Sequence, residues 1–165
     1  MRLALIGPRA AGKSTVAPRL ARALGLPCFD LDQQVVQATG ESIQSLVDRA
    51  GWTAFRRAEL TAFDNLPSGP MVLAVGAGFP TQEGAIERLA RFDDRLWLDL
   101  EPNTQIARRT HDPRPSLGDA NLRTEITRLH AERHAVYAGL ASARIDAAAP
   151  LDAVLLACTA ALETL

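Results

Sequence analysis

One stretch near the start of the chain constrains the fold most strongly. Residues 7–15 read Gly-Pro-Arg-Ala-Ala-Gly-Lys-Ser-Thr, which fits the pattern G-x-x-x-x-G-K-[ST]. An apolar run precedes it at 3–6, and an apolar-periodic segment begins at Val16. Strand, glycine-rich loop and helix in this order are the context in which the pattern forms a P-loop. The sequence therefore predicts an α/β protein that binds a nucleoside triphosphate.

The residue types of this loop suit phosphate binding. Gly7 and Gly12 allow tight turns and leave no Cβ between the backbone and an anion. Lys13 is expected to bring its charge to the β- and γ-phosphates, and the Ser14 hydroxyl to ligate the Mg²⁺ that accompanies ATP. Backbone N–H groups ahead of a helix converge on phosphate. The predicted ATP-binding residues of the loop are Ala10, Ala11, Gly12, Lys13, Ser14 and Thr15.

Composition narrows the classes of function. The chain has 165 residues, a net charge of −1 and 47% hydrophobic residues, which fits a single globular domain over 1–165. The near-zero charge disfavours nucleic acid and membrane surfaces as partners. No apolar run approaches the ~18 residues of a membrane span. A strand so close to the first residue leaves no room for a targeting peptide, so we expect a cytoplasmic protein. We also expect a monomer. Cys28 and Cys158 lie in apolar segments and are expected to be buried, reduced thiols.

Strand and helix patterns alternate along the chain. Strands are predicted at 3–6, 27–32, 71–75, 95–100 and 144–147, and helices at 13–24, 33–51 (two, broken at Gly40), 52–65, 83–91, 101–110, 122–140 and 151–165. This alternation predicts a central five-stranded parallel sheet with helices on both faces, a three-layer architecture.

Two acidic residues end the second predicted strand. Ligands gather at the carboxyl ends of parallel strands, so Asp30 and Asp32 are candidate site residues. One is expected to face the P-loop magnesium and the other an acceptor substrate. The alternative for either residue is a helix N-cap.

Three further segments are candidates for the site. Arg56 and Glu59 share a helix face and are expected to form an ion pair. If the pair faces a pocket, Glu59 would hold the Arg56 guanidinium ready for a bidentate contact with the carboxylate of a ligand. If it lies on an exposed face, it would contribute little to stability. The residues Gly76-Ala77-Gly78 follow a strand and suggest either a close approach of backbone to ligand or an ordinary turn.

The segment 110–121 is polar, contains proline and glycine, and carries Arg114. Such a segment is either a lid over a site or a plain connector. Because Arg108 and Arg109 lie beside it, we expect a lid over phosphates.

The constellation as a whole resembles the shikimate kinase family over essentially the full chain. The P-loop is followed in order by Asp30-Leu31-Asp32, by Phe55-Arg56-Arg57-Ala58-Glu59, by Gly76-Ala77-Gly78, by Arg114-Pro115 in the lid, and by Arg133-His134-Ala135-Val136-Tyr137. The middle residue of the glycine triplet is alanine here, which a negative φ accommodates. Each motif alone is weak, but five in this order behind a P-loop are specific.

The resemblance implies roles for these residues. Asp32, Arg56, Arg133 and the backbone of Gly76, Ala77 and Gly78 would hold shikimate, the arginines through its carboxylate and Asp32 through ring hydroxyls. Asp30 would hold a magnesium-bound water beside the Ser14 ligand. Arg114 would close onto the transferring phosphoryl group, so Lys13, Asp32 and Arg114 form the catalytic set. Arg109 and Pro150 would flank the adenine.

Three functions remain open at this point. The first is an ATP-dependent kinase that phosphorylates the 3-hydroxyl of shikimate. The second is a kinase of the same fold with another hydroxylated carboxylic acid as acceptor. The third is a non-catalytic domain that binds a nucleotide or metabolite. The complete set of charged residues favours a kinase.

Overall fold

The computed structural model describes residues 1–109 and 121–165. The predicted lid lies outside the described residues except for Asn121, and Arg114 lies outside them too. Whether the chain forms one domain with a lid over 110–121 therefore stays a prediction.

Five parallel strands form the central sheet. They are β1 (Arg2–Ile6), β2 (Cys28–Asp30), β3 (Met71–Ala74), β4 (Asp94–Asp99) and β5 (Ala143–Asp146). Their order in the sheet is β2-β3-β1-β4-β5, with β1 in the centre. Leu3 of β1 aligns with Val72 of β3 on one side and with Asp94 of β4 on the other. The carboxyl ends of the strands therefore meet at one edge of the sheet, where the P-loop leaves β1.

Seven α-helices connect and cover the strands in the described part of the chain. They are α1 (Lys13–Leu24), α2 (Leu31–Thr39), α3 (Ile43–Asp64), α4 (Ala85–Leu89), α5 (Pro102–Arg109), α6 (Leu122–Leu140) and α7 (Leu151–Thr164). A short 3₁₀ helix, Phe79–Thr81, follows β3. None of them is long and apolar enough to cross a membrane.

Two apolar clusters lie on opposite faces of the sheet. Alternate residues of β1 point to each side: Ala4 and Ile6 join one cluster, and Leu3 and Leu5 join the other. The first cluster includes side chains from α2, α3, α4 and α6, and the second includes side chains from α1 and α7. This confirms the predicted three-layer α/β fold with a five-stranded parallel sheet.

Helix boundaries follow local sequence signals. Helix α1 ends at Gly25, whose φ of 65° suits a left-handed C-cap, as predicted. Helix α3 merges two predicted helices across a kink at Gly51, where φ is 79° and ψ is 171°. Helix α4 is shorter than the predicted 83–91 because Gly84, with φ of 75°, precedes its first turn.

Two expectations about the second strand are wrong. Strand β2 ends at Asp30, not at Asp32, because the Asp30 side chain accepts from the backbone N–H groups of Asp32 and Gln33 and starts α2. The N-cap alternative therefore holds for Asp30. Cys28 is exposed because β2 is an edge strand, whereas Cys158 is buried as expected.

The P-loop leaves β1 in close contact with β4. Gly7 has φ of 139°, and a Cβ at this position would lie 2.3 Å from the carbonyl oxygen of Leu98. That oxygen belongs to the backbone of a central strand and has little freedom to move. Gly7 is thus required by the packing of the sheet as well as by the turn.

We expect Gly7→Ala to lower the free energy of unfolding by at least about 2 kcal/mol, because it combines a backbone clash with a strained φ. Urea denaturation without nucleotide measures this. Gly69→Ala is the matched control: its added Cβ meets nothing within 4 Å, and we expect a change within about 0.5 kcal/mol. Equal stability of the two variants would contradict the role given to Gly7.

Candidate functional site

The P-loop borders a cleft of about 290 Å³, here called the nucleotide cleft. It lies at the carboxyl ends of the strands, where a parallel sheet places its ligands. Its lining combines P-loop residues with the ends of β2 and β3 and one arginine of α5: Ala10, Gly12, Lys13, Ser14, Thr15, Asp30, Asp32, Val75, Gly76, Ala77 and Arg108.

Contacts within the loop hold its backbone in place. The Lys13 ammonium donates to the carbonyl oxygens of Gly7 and Pro8, each at 2.8 Å. Arg108 donates to the Ala10 carbonyl at 3.3 Å. Ala10 has φ of 62° and is, within the described ranges, the one residue other than glycine in the left-handed region. That conformation costs on the order of 1 kcal/mol, so the surrounding contacts must impose it.

The oxygens of Ser14 and Asp30 suit a magnesium ion. The Ser14 hydroxyl donates to Asp30 Oδ2 at 2.5 Å, which brings a hydroxyl and a carboxylate together beside the phosphate-binding loop. Mg²⁺ prefers oxygen ligands and takes few from the protein when phosphates and water supply the rest. Within residues 1–109 and 121–165, no cluster of three or more His, Cys, Asp or Glu side chains forms a complete protein cage. The donor set thus fits a nucleotide-associated Mg²⁺.

A second cleft adjoins the nucleotide cleft and is here called the arginine cleft. Three guanidinium groups, two carboxyl groups and two aromatic rings surround it. The lining residues are Arg9, Asp32, Ile43, Trp52, Phe55, Arg56, Glu59, Ala77, Gly78 and Arg133. The kink at Gly51 separates the two parts of α3, and the part after it carries Trp52, Arg56 and Glu59.

The predicted ion pair of Arg56 and Glu59 faces this cleft. Arg56 donates to Glu59 Oε2 at 2.5 Å, and Gln82 donates to the same oxygen at 2.8 Å. The Arg56 guanidinium also lies 5.6 Å from the Trp52 ring centroid and 5.2 Å from that of Phe55. These contacts fix the plane of the guanidinium, which favours a bidentate contact with a carboxylate.

Glu59 is fully buried. Burial, with a smaller contribution from the nearby Asp32, raises the pKa of its carboxyl to about 7, against the lowering effects of Arg56 and Gln82. Near neutral pH this side chain is therefore close to its titration point, and its charge is costly to maintain.

Gly76 and Gly78 leave the space that this ion pair occupies. A Cβ at Gly76 would lie 2.2 Å from Glu59 Oε1, and a Cβ at Gly78 would lie 2.3 Å from an Arg56 guanidinium nitrogen. Ala77, between them, has no positive φ, so the alanine in the triplet is accommodated. The glycines therefore serve the close approach of side chains to the backbone.

Tyr137 joins Arg133 to this turn. Its hydroxyl donates to the Ala77 carbonyl at 2.6 Å. Burial raises the pKa of Tyr137 to about 12, although a hydrogen bond from Arg133 and the charges of Arg133 and Arg56 oppose the shift. The tyrosine thus stays protonated and positions Arg133, itself 9% exposed, at the wall of the arginine cleft.

Asp32 and Ala77 line both clefts. Asp32 lies in the first turn of α2, just after the N-cap Asp30 that contacts the P-loop. A group bound in the arginine cleft would therefore lie next to a phosphate bound at the P-loop. This arrangement suits transfer of a group between two bound molecules.

Two predicted nucleotide ligands lie apart from the lining of the nucleotide cleft. Arg109 is 7% exposed and pairs with the buried Glu125 at 3.4 Å. Pro150 is exposed and precedes α7. The neighbouring Arg108 lines the cleft instead. The rotation of α5 about its own axis decides which of the two adjacent arginines faces the cleft. The sequence alone does not determine that rotation.

Sequence reasoning also missed Arg9 and Trp52 as site residues. Arg9 lies inside the P-loop motif, and this signal could have identified it as a site residue. Trp52 had no such signal, because its position depends on the kink at Gly51.

The comparisons with known proteins agree with this geometry. Residues 9–163 match the family model described as shikimate kinase. A shikimate kinase of Rhodopirellula baltica is 35% identical over 150 residues, covering 87% of this chain and 80% of that protein. One of Oleidesulfovibrio alaskensis is 34% identical, with coverage of 93% and 92%.

The chain belongs to the shikimate kinase family.

Solved structures show the same architecture. A shikimate kinase of Acinetobacter baumannii, determined in complex with shikimate, has a TM-score of 0.88 at 28% identity and covers 99% of this chain and 91% of that one. A deoxyadenosine kinase of M. mycoides has a TM-score of 0.66 at 14% identity, which shows a shared fold alone. This shikimate kinase family member is thus a phosphotransferase that acts on a hydroxyl group.

The raised pKa of Glu59 predicts a pH-dependent stability difference. The unfolded chain releases this proton near pH 4.5 and the folded protein near 7, so the folded state binds more protons between these values. Stability therefore falls as pH rises across that interval, by up to about 3 kcal/mol from this group. Glu59→Gln should remove this contribution.

Urea denaturation of both proteins at several pH values between 4.5 and 8 measures the effect. We expect the stability of Glu59→Gln relative to the wild type to increase with pH. Parallel stability curves would show that Glu59 titrates normally and would contradict the burial argument.

Proposed function

We propose that this protein transfers the γ-phosphoryl group of ATP to the 3-hydroxyl of shikimate. The observation that carries the proposal is the position of Asp32, which lines both the nucleotide cleft and the arginine cleft. A hydroxyl beside Asp32 would meet the terminal phosphate at the junction of the two clefts. The shikimate kinases to which this chain is similar supply the identity of the acceptor.

The arginine cleft is proposed to bind the acceptor through its carboxylate. Arg56 and Arg133 project from different helices, α3 and α6, into one small cleft. Planar guanidinium groups hold a carboxylate through paired hydrogen bonds. Ala77 and Gly78 line this cleft, and Gly76 lines the nucleotide cleft beside it. The backbone of these three residues is proposed to contact the acceptor ring.

The reaction needs orientation and charge neutralisation more than strong acid–base chemistry. Lys13 and the backbone N–H groups of the P-loop would hold the phosphates. Asp32 would orient the 3-hydroxyl and take up its proton as the new O–P bond forms and the bond to ADP breaks. Ser14 would ligate Mg²⁺ and Asp30 would hold it through a water. When bound, this ion supplies neutralisation of phosphate charge.

The remaining nucleotide contacts stay proposals. Arg109 and Pro150 are proposed to flank the adenine, and Arg114 to contact the phosphates. Arg108 joins this set because it lines the nucleotide cleft and contacts the Ala10 carbonyl. The expected cytoplasmic location and monomeric state also remain predictions from the sequence.

A coupled assay of ADP release tests the proposed function. Shikimate is compared with related hydroxylated carboxylic acids, each with ATP and Mg²⁺. We expect shikimate to give the highest kcat/KM. A higher kcat/KM for another acid would identify a different acceptor, and binding of ATP without turnover of any acid would indicate a non-catalytic domain.

Asp32→Asn is expected to lower kcat at least about a hundredfold, because the amide keeps the shape of the side chain and loses the proton acceptor. The KM for ATP should stay within about twofold of the wild type, since Lys13 and the loop backbone hold the phosphates. Asp48→Asn, on the exposed face of α3, is the matched control. A kcat for Asp32→Asn equal to that of Asp48→Asn would remove Asp32 from the reaction.

A further inference from the structure

Arg9 occupies an unusual place for a P-loop residue. Its side chain is 8% exposed and lines the arginine cleft together with Arg56 and Arg133. The next residue, Ala10, lines the nucleotide cleft, but Arg9 is absent from the described lining of that cleft. The loop therefore directs its backbone to the phosphates and the Arg9 side chain to the neighbouring site.

Arg9 also lines a third, smaller pocket next to the arginine cleft. Arg133 is the other residue that lines both spaces. The two side chains thus form a shared wall, with Arg9 coming from the P-loop and Arg133 from α6. Three aromatic side chains also line the third pocket: Trp97, whose ring contacts those of His134 and Tyr137.

The lining of the arginine cleft contains more guanidinium groups than carboxyl groups. Arg9, Arg56 and Arg133 face the two carboxyl groups of Asp32 and Glu59. Arg56 forms an ion pair with Glu59, and the raised pKa of Glu59, about 7, leaves this carboxyl partly protonated near neutral pH. Three guanidinium groups against two carboxyl groups make the lining favourable for an anion, and Arg9 supplies one of the three.

We propose that Arg9 is a third cationic ligand of the acceptor carboxylate and a determinant of specificity for acids over neutral analogues. The inference rests on the proposed function, because it assigns a further residue to the same acceptor site. Arg9 and Arg133 contact the carboxylate from the wall they share, and Arg56 contacts it from α3. A carboxylate has lone pairs enough for several charge-assisted donors.

The test compares shikimate with its methyl ester in the wild type, Arg9→Met and Arg9→Lys. Both acceptors keep the 3-hydroxyl, so kcat/KM is measurable for each, and the ester lacks the negative charge. Arg57→Met is the matched control, because Arg57 is exposed on α3 and lies outside the described lining of both clefts. Thermal unfolding of each variant verifies that it is folded.

We expect Arg9→Met to lower kcat/KM for shikimate by about 10- to 100-fold, the range of a lost hydrogen bond to a charged group. The ester should change by less than about threefold, and so should the KM for ATP, since Arg9 acts on the carboxylate alone. Arg9→Lys keeps the charge and loses the planar fork, so its effect on shikimate should be intermediate.

Three results would overturn the inference. An equal loss for shikimate and the ester would make Arg9 a structural residue of the loop. A rise in the KM for ATP with unchanged acceptor discrimination would make it a phosphate ligand. Wild-type discrimination in a folded Arg9→Met or Arg9→Lys would exclude any contact with the carboxylate. Failure of the proposed function would appear differently, as absent turnover of shikimate by the wild type itself.

Discussion

Glu59 is buried at the wall of the arginine cleft, and its carboxylate accepts from Arg56 and Gln82. Burying a charge is costly unless it is paired, and burial raises the pKa of this carboxyl to about 7 despite the pairing with Arg56. The pair persists because Gly76 and Gly78 provide the space and because the Trp52 and Phe55 rings flank the guanidinium. The orientation of Arg56 toward the cleft follows from these contacts.

The sheet places this pair next to the P-loop. Strand β3 lies between β1 and β2, so the turn after β3 lies between the phosphate-binding loop and the Asp30–Asp32 segment. The Tyr137 hydroxyl donates to the Ala77 carbonyl and so connects that turn to α6, the helix that carries Arg133. One turn, residues 76–78, thus lines both the arginine cleft and the nucleotide cleft.

The fold was largely predictable because its signals are local. The P-loop motif, the helix stop at Gly25 and the apolar strands each depend on a few neighbouring residues. The end of β2 was misjudged because an Asp can extend a strand or cap a helix, and the Ser14 contact that accompanies the cap is not local in sequence. Three site residues were not predicted because their directions depend on structure beyond the local sequence. The path of the P-loop orients Arg9, the kink at Gly51 orients Trp52, and the rotation of α5 orients Arg108. Arg114 lies outside the described residues, and its role stays a prediction.

The most direct test of this account is calorimetric titration of shikimate into Gly78→Ala. The added Cβ would occupy the place of the Arg56 guanidinium while leaving every charged residue in the chain. We expect shikimate affinity to fall at least about tenfold, the equivalent of one charge-assisted hydrogen bond, with ATP affinity unchanged. Gly69→Ala, whose Cβ meets nothing, should bind both ligands like the wild type. Unchanged shikimate affinity in Gly78→Ala would contradict the claim that the placement of Arg56 creates the acceptor site.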